Sequence, residues 1–306
     1  MAVKMPSMIR QWLGVGLRRA LQVPMLSRLA RIVIAEWHEV TRQRAVAKVK
    51  AALTSVPDDR VRRGPFQGMH FPFRYGNETG WLGKILGAYE SELHGVIDRI
   101  CRDDYTQVIN IGTAEGFYFV GLARRLPAAR ITGFETNEEA REACQELALA
   151  NGVARRIVLH GTCNIETLQT QDISGGRVLV VADCEGEEYR LLQPALIPAL
   201  NECDLLVELH CLGTSGMGPF ESISSILSNT HTLQFISCRP RMPSQFQELG
   251  HLTEVEADMI LSEGRRNSVG WVFARSRCRH GSQPKRGSDS GHRRPATESP
   301  TQAGNC

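Results

Sequence analysis

The run Val108-Ile109-Asn110-Ile111-Gly112-Thr113-Ala114-Glu115-Gly116 decides the fold. A β-branched stretch meets two glycines and then the apolar run Phe117 to Ala123. That order predicts a strand over 108–112, a tight turn and a helix over 116–125. Working outward, the pattern repeats. Residues 131–135 (ITGFE) precede a helix over 138–150, and 157–161 (IVLHG) a short helix near 165–168. Residues 177–183 (RVLVVAD) precede a helix around 187–200, and 204–210 (DLLVELH) complete the set. Five strands with intervening helices predict an α/β, doubly wound, mostly parallel sheet. Two later runs, 232–237 and 268–276, are expected to pair as a terminal antiparallel hairpin.

The chain has 306 residues, 42% of them hydrophobic, enough to bury a core without disulfides or metals. Its nine cysteines are scattered with no C-x-x-C pair, which argues against a zinc ribbon and for reduced thiols in the cytoplasm. No apolar stretch reaches the roughly 18 residues of a membrane-spanning helix. Arg18-Arg19 interrupts the apolar part of the N-terminus, against a secretory signal.

Charge divides the chain. Residues 1–50 hold ten Lys and Arg against two acids, and residues 275–306 hold seven against two. The body between them is acidic, whereas a nucleic-acid enzyme carries its basic surface on the catalytic body. No Asn-Pro-Pro-Tyr-type base-binding motif occurs either, so nucleic acid is not an expected partner. Four segments follow: a basic helical extension (1–56), an N-terminal lid or cap (57–104), the sheet domain (105–278) and a disordered tail (279–306). In the extension, Leu26, Leu29, Val33, Trp37 and Val40 share a helical stripe opposite Arg28, Arg31, Arg42 and Arg44, beginning after the break at Pro24. Such a helix packs on the body or caps the active site, or else it attaches to an anionic membrane, for which Trp12 is also suited. The Gly-, Pro- and aromatic-rich residues 57–80 read as a loop with one or two short strands, followed by a helix near 81–99.

The chemistry sits at the strand ends. Asn110 to Gly116 form a glycine turn that opens a helix, with Gly112, Thr113, Glu115 and Gly116 placed to meet a ligand. The spacing is G-x-x-x-G rather than G-x-G-x-x-G, which disfavours a pyrophosphate and hence NAD, and the Gly-Lys-Ser/Thr end of a P-loop is missing. Glu135 ends the next strand, where a carboxylate accepts both hydroxyls of a ribose. Adenosine without pyrophosphate points to S-adenosylmethionine (SAM). Thr162 and Cys163, with Asn164, end the third strand at the edge expected to line the adenine pocket. Asp183 and Glu185 end the fourth strand, Glu208 and His210 the fifth, and all four can converge on one cleft. Two roles suit them. Asp183 or His210 can take the proton of an acceptor hydroxyl, or the carboxylates and imidazole can hold a divalent cation that acidifies it.

These residues resemble a family. VINIGTAEGFYFVGLA (108–123), FETNEEAR (134–141), VVADCEGEEYRLLQP (180–194) and LLVELHC (205–211) are similar to the FkbM-like branch of class I SAM-dependent methyltransferases. The Asp-x-Glu-Gly-x-Glu segment (Asp183, Glu185, Gly186, Glu188) is the most specific mark. The resemblance spans about 105–275. It implies a Rossmann-like seven-stranded sheet whose last strand runs antiparallel. It also implies SAM as methyl donor and O-methylation of a hydroxyl on a sugar, glycan, lipid or secondary metabolite. Asn110 stands where the family more often has an acid. The competing readings are a SAM-binding partner protein without catalysis and a nicotinamide-dependent oxidoreductase. The oligomeric state is not encoded legibly.

Overall fold

The structure, a computed structural model, describes residues 24–54, 59–73, 78–173, 176–211, 217–262 and 268–280. Trp12 and nearly all of the predicted tail lie outside the described residues. The strands are β1 (Tyr105–Ile111), β2 (Arg130–Phe134), β3 (Ile157–His160), β4 (Arg177–Ala182), β5 (Asp204–His210), β6 (His231–Ser237) and β7 (Ser268–Ser276). They form one seven-stranded sheet in the order β3-β2-β1-β4-β5-β7-β6. The first five run parallel, and β7 is antiparallel to both β5 and β6. This is the Rossmann-like sheet the sequence predicts. The central strands are rich in apolar residues because both of their faces are covered: every residue of β5 is buried, Asp204, Glu208 and His210 included.

The principal helices are α1 (Pro24–Thr54), α2 (Glu78–Leu86), α3 (His94–Ile100), α4 (Phe117–Arg125), α5 (Glu138–Ala150), α6 (Ile165–Gln169), α7 (Glu188–Leu191), α8 (Pro219–Leu227) and α9 (Glu254–Leu261). Side chains alternate along each strand and so divide between two cores. One face puts Val108, Leu179, Val181, Leu206, Trp271 and Phe273 under the front helices α1 to α4. The other puts Ile109, Ile111, Val180, Ala182, Val207 and Leu209 against α7 and α8. By the same alternation Asn110, Asp183, Glu208 and His210 belong to the first face.

The predicted helix over 187–200 stops at Leu191. Pro194 and Pro198 cannot donate to a helical ladder and push the preceding residue toward extended backbone. The helix expected over 81–99 is likewise divided. Gly87 turns at φ 70° with its Cα against the Arg63 backbone, where any Cβ would overlap the carbonyl. The chain resumes in a 3-10 turn (Ser91–Leu93) and then α3. β6 and β7 pair as expected but not as a hairpin: α9 lies between them in sequence, and β7 inserts between β5 and β6.

The described part of α1 begins at Pro24. Its C-terminal half packs on the body through Ala45, Val46, Val49 and Leu53, and Lys48 pairs with Glu256 of α9. Ile32, Val33, Ile34 and Trp37 are more than half exposed. None of the described helices is long and apolar enough to cross a membrane.

His231 opens β6 fully buried, with Nδ1 2.8 Å from Thr230 Oγ1 and Nε2 3.0 Å from the Cys203 carbonyl. Burial lowers its pKa from the ordinary 6.5, despite the carbonyl contact. The folded state therefore holds the neutral ring while the unfolded chain takes a proton below that value. Its contribution is complete above 6.5 and is lost as pH falls through it. Thermal melts between pH 7.5 and 5.5 should show a fall in Tm that is shallower in His231→Gln; an equal slope would mean His231 does not contribute.

Candidate active site

The order of the strands reverses between β1 and β4, so the loops after them part and leave a crevice at the carboxyl ends. A cavity of about 390 Å³ occupies it. Gly112, Glu135, Thr162, Cys163, Asp183 and Glu185 are among its lining residues. Six of the twelve residues singled out from sequence therefore share one wall-to-wall space.

Gly112 makes that space possible. Its φ of 79° is left-handed, and its Cα lies against the Asp183 carbonyl, where a Cβ would overlap the oxygen. Its N–H donates to the Phe134 carbonyl at 2.9 Å, and the Asp183 N–H donates to the Ile111 carbonyl at 3.0 Å. The turn is thus clamped between the ends of β2 and β4. Glu135 holds the loop from the side: one carboxylate oxygen accepts from the Ala114 N–H and the other from the Asn137 N–H, each at 2.8 Å. Asn137 also caps α5 by accepting from the Ala140 N–H. A carboxylate held by two backbone donors keeps further lone pairs for a ligand's hydroxyls. Cys163 is buried, which pushes its thiol up to about 12, so it lines the cavity as a neutral, weakly polar surface.

The remaining residues lie elsewhere. Asn110 is 2% exposed on the front face of the sheet, and its Oδ1 has no hydrogen-bond partner. Thr113 is buried against Gly133. Gly116, at φ 100°, packs on Cys144 and opens α4. Glu115 turns away from the crevice, pairs with Lys84 of α2, and borders a second cavity of about 430 Å³ with His70 and Phe71.

His210 and Glu208 sit beside Asp183 as the strand ends predicted. His210 is 5% exposed. Its Nδ1 lies 3.1 Å from Glu188 Oε1, and Glu188 is itself fixed by the Cys184 N–H at 2.7 Å and the Gly186 N–H at 2.9 Å. Nε2 then faces Glu185, Glu208 and Asp183 at 3.6, 3.7 and 3.8 Å. Burial opposes the imidazolium, but the Glu188 hydrogen bond and the surrounding carboxylates outweigh it and raise the His210 pKa. Burial, a hydrogen bond with Glu208 and the charges of Glu208, Glu90 and Glu188 raise Asp183 well above the ordinary carboxylate range.

Two members of this cluster were not among the residues singled out. Glu188 was visible within the Asp-x-Glu-Gly-x-Glu run but not its role in holding His210. Glu90 falls in the segment expected to form the lid, with no role in the site assigned to it. It is fully buried, accepts a hydrogen bond from the Tyr118 hydroxyl, and comes from the front segment rather than the sheet. Among the described residues, the non-glycine residues with positive φ are Glu90 (47°), Ala114 (44°) and Glu185 (56°). All three belong to loops that border this region, and strained backbone of this kind persists where surrounding structure imposes it.

No family model matches the chain, and no curated protein matches it. Among solved structures it is similar to the O-methyltransferase TomG of Streptomyces achromogenes, involved in tomaymycin synthesis and solved with SAM: 16% identity over 76% of this chain and 89% of that one, TM-score 0.42. It is also similar to an O-methyltransferase of Bacillus cereus in complex with SAH, at 12% identity over 76% of this chain and 91% of that one, TM-score 0.41.

Proposed function

We propose that the chain is a SAM-dependent methyltransferase acting on a hydroxyl of a small molecule, a sugar or glycan, or a lipid. The observation that carries this reading is the Glu135 carboxylate on the wall of the crevice, one strand away from the glycine turn. A ribose seated there would give its two hydroxyls to Glu135, with the adenine toward Thr162 and Cys163 and the sulfur toward Asp183. The turn supplies no glycine triad for a pyrophosphate, which favours SAM over a dinucleotide. The FkbM-like resemblance of the four sequence runs supports the same donor.

Methyl transfer needs little covalent help. An acceptor oxygen forms the new C–O bond with its lone pair as the C–S bond breaks, and the departing pair stays on sulfur as a neutral thioether. The hydroxyl proton leaves to the carboxylate–imidazole cluster at the ends of β4 and β5. Alignment of the acceptor, the methyl carbon and the sulfur carries most of the rate, as does exclusion of water. The front segment that brings Glu90 would supply that cover.

Calorimetric titration of the full chain with SAM and with S-adenosylhomocysteine (SAH), and with NADH in parallel, tests the reading. Saturable binding of SAM and SAH without NADH binding is expected. Binding of NADH alone would replace it with the oxidoreductase reading.

A further inference from the structure

We propose that the N-terminal half of α1 docks the protein on an anionic lipid surface, with Ile32, Val33, Ile34 and Trp37 sunk below the headgroups. The docking does not depend on the methyl-transfer reading.

The two halves of α1 present different faces. Further along the helix Ala45, Val46, Val49 and Leu53 are buried against the body. At about 100° per residue these four centre on one side of the helix, and Val33 falls almost directly opposite. The stripe that the sequence places on this helix, to which Val33 and Trp37 belong, therefore turns away from the body. Residues 31–38 are all exposed, about 12 Å of helix. Within them Ile32 is 58% exposed, Val33 66%, Ile34 52% and Trp37 53%. Single exposed apolar side chains are ordinary, but four gathered on two turns of one helix mark a contact surface.

The width of that surface selects what covers it. Ile32 and Ile34 bound an arc of about 200° that contains Val33 and Trp37. A partner helix covers a narrower seam, whereas a helix lying in a bilayer surface sinks about half of its circumference. Arg28 and Arg31, both exposed, occupy the remaining side, where a basic side chain meets the headgroups. Glu36 is the one charged residue inside the arc. Trp37 suits the boundary, since its ring is apolar and its N–H can donate to a headgroup oxygen.

Charge selects in the same direction. Residues 1–50 hold ten Lys and Arg against two acids, Glu36 and Glu39. Glu39 is paired with Arg42 at 2.6 Å and accepts from Gln43 at 2.7 Å. Two copies joined through this helix would bring their basic extensions together against mutual repulsion, while an anionic bilayer is attracted by every one of those cations.

Sucrose-loaded vesicles of phosphatidylcholine, with or without about one-third phosphatidylglycerol, are sedimented with the full-chain protein. Saturable binding to the anionic vesicles is expected, weakening as salt rises, with little binding to the neutral ones. Val33→Asp and Trp37→Ala should each lower the affinity about tenfold or more, as should Arg28→Glu combined with Arg31→Glu. Leu196→Asp, 51% exposed elsewhere on the molecule, should bind as the parent does. All of these side chains are exposed, so thermal melts should match the parent and show each variant folded. No binding to anionic vesicles, equal binding to neutral ones, or binding indifferent to Val33 and Trp37 overturns the proposal. So does light scattering that shows a dimer in the lipid-free protein and a monomer in Trp37→Ala, because a second copy would then cover this face.

Discussion

Replacing Glu135 by alanine should weaken SAH binding about 10²- to 10⁴-fold. Two hydrogen bonds from ribose hydroxyls to a carboxylate are each worth about 1.5–3 kcal/mol, and each 1.4 kcal/mol is tenfold in affinity. Part of the loss is indirect, because the same carboxylate accepts from the Ala114 and Asn137 N–H groups and so holds the turn after β1 in shape. Glu135→Gln separates the two effects. Its single amide oxygen can still take one backbone donor, but the amide loses the charge and one acceptor. It should recover fold stability more than affinity. Calorimetry with SAH and thermal melts of both variants check this. An affinity within threefold of the parent in Glu135→Ala would remove Glu135 from the ligand site.

The second large effect concerns Gly112. Gly112→Ala adds a methyl group where the Asp183 carbonyl already sits, in a left-handed conformation that L residues avoid. The obstacle is backbone, not the end of a flexible side chain, and it is tied to β1 by the Asp183-to-Ile111 hydrogen bond. Neither strand end can yield without separating β1 from β4. A loss of about 4 kcal/mol or more is expected, the range reserved for core overpacking and special backbone sites. Gly152→Ala is the comparison. Gly152 has a similar φ of 70° but open space where the Cβ would go, so only the conformational penalty of about 1–2 kcal/mol applies. Urea unfolding of the two variants measures the difference. Equal stabilities would mean that the β1 turn is not clamped as described.

The contrast between what the sequence disclosed and what it hid follows the range of the interactions. Strand β5 was legible to the residue because a run of Asp-Leu-Leu-Val-Glu-Leu-His is apolar enough to need cover on both faces. The glycine turn and Glu135 were legible because their relation is local, a turn after one strand and an acid after the next. The helix expected over 187–200 ends at Leu191 because Pro194 and Pro198 cannot continue its hydrogen-bond ladder. Gly87 falls inside the run expected to be helical, and its approach to the Arg63 backbone makes it a break.

Site residues show the same division. Glu115 is adjacent to the turn, and nothing in its spacing discloses that Lys84, 31 residues earlier, draws it to the opposite side. Glu90 reaches the cluster through a left-handed residue between a helix and a 3-10 turn, a placement that depends on how the front segment folds over α4. The carboxylate behind His210 comes from 22 residues away and from another strand end. Such contacts are set by tertiary packing, and local pattern carries no trace of them.

A crystal structure of the full chain grown with SAH tests the central claim most directly. The expected result is SAH in the crevice after β1 and β2, its ribose hydroxyls within hydrogen-bond distance of Glu135, its adenine beside Thr162 and Cys163, and its sulfur facing Asp183. SAH seated instead in the second cavity, between His70, Phe71 and α5, or with its ribose away from Glu135, would contradict it.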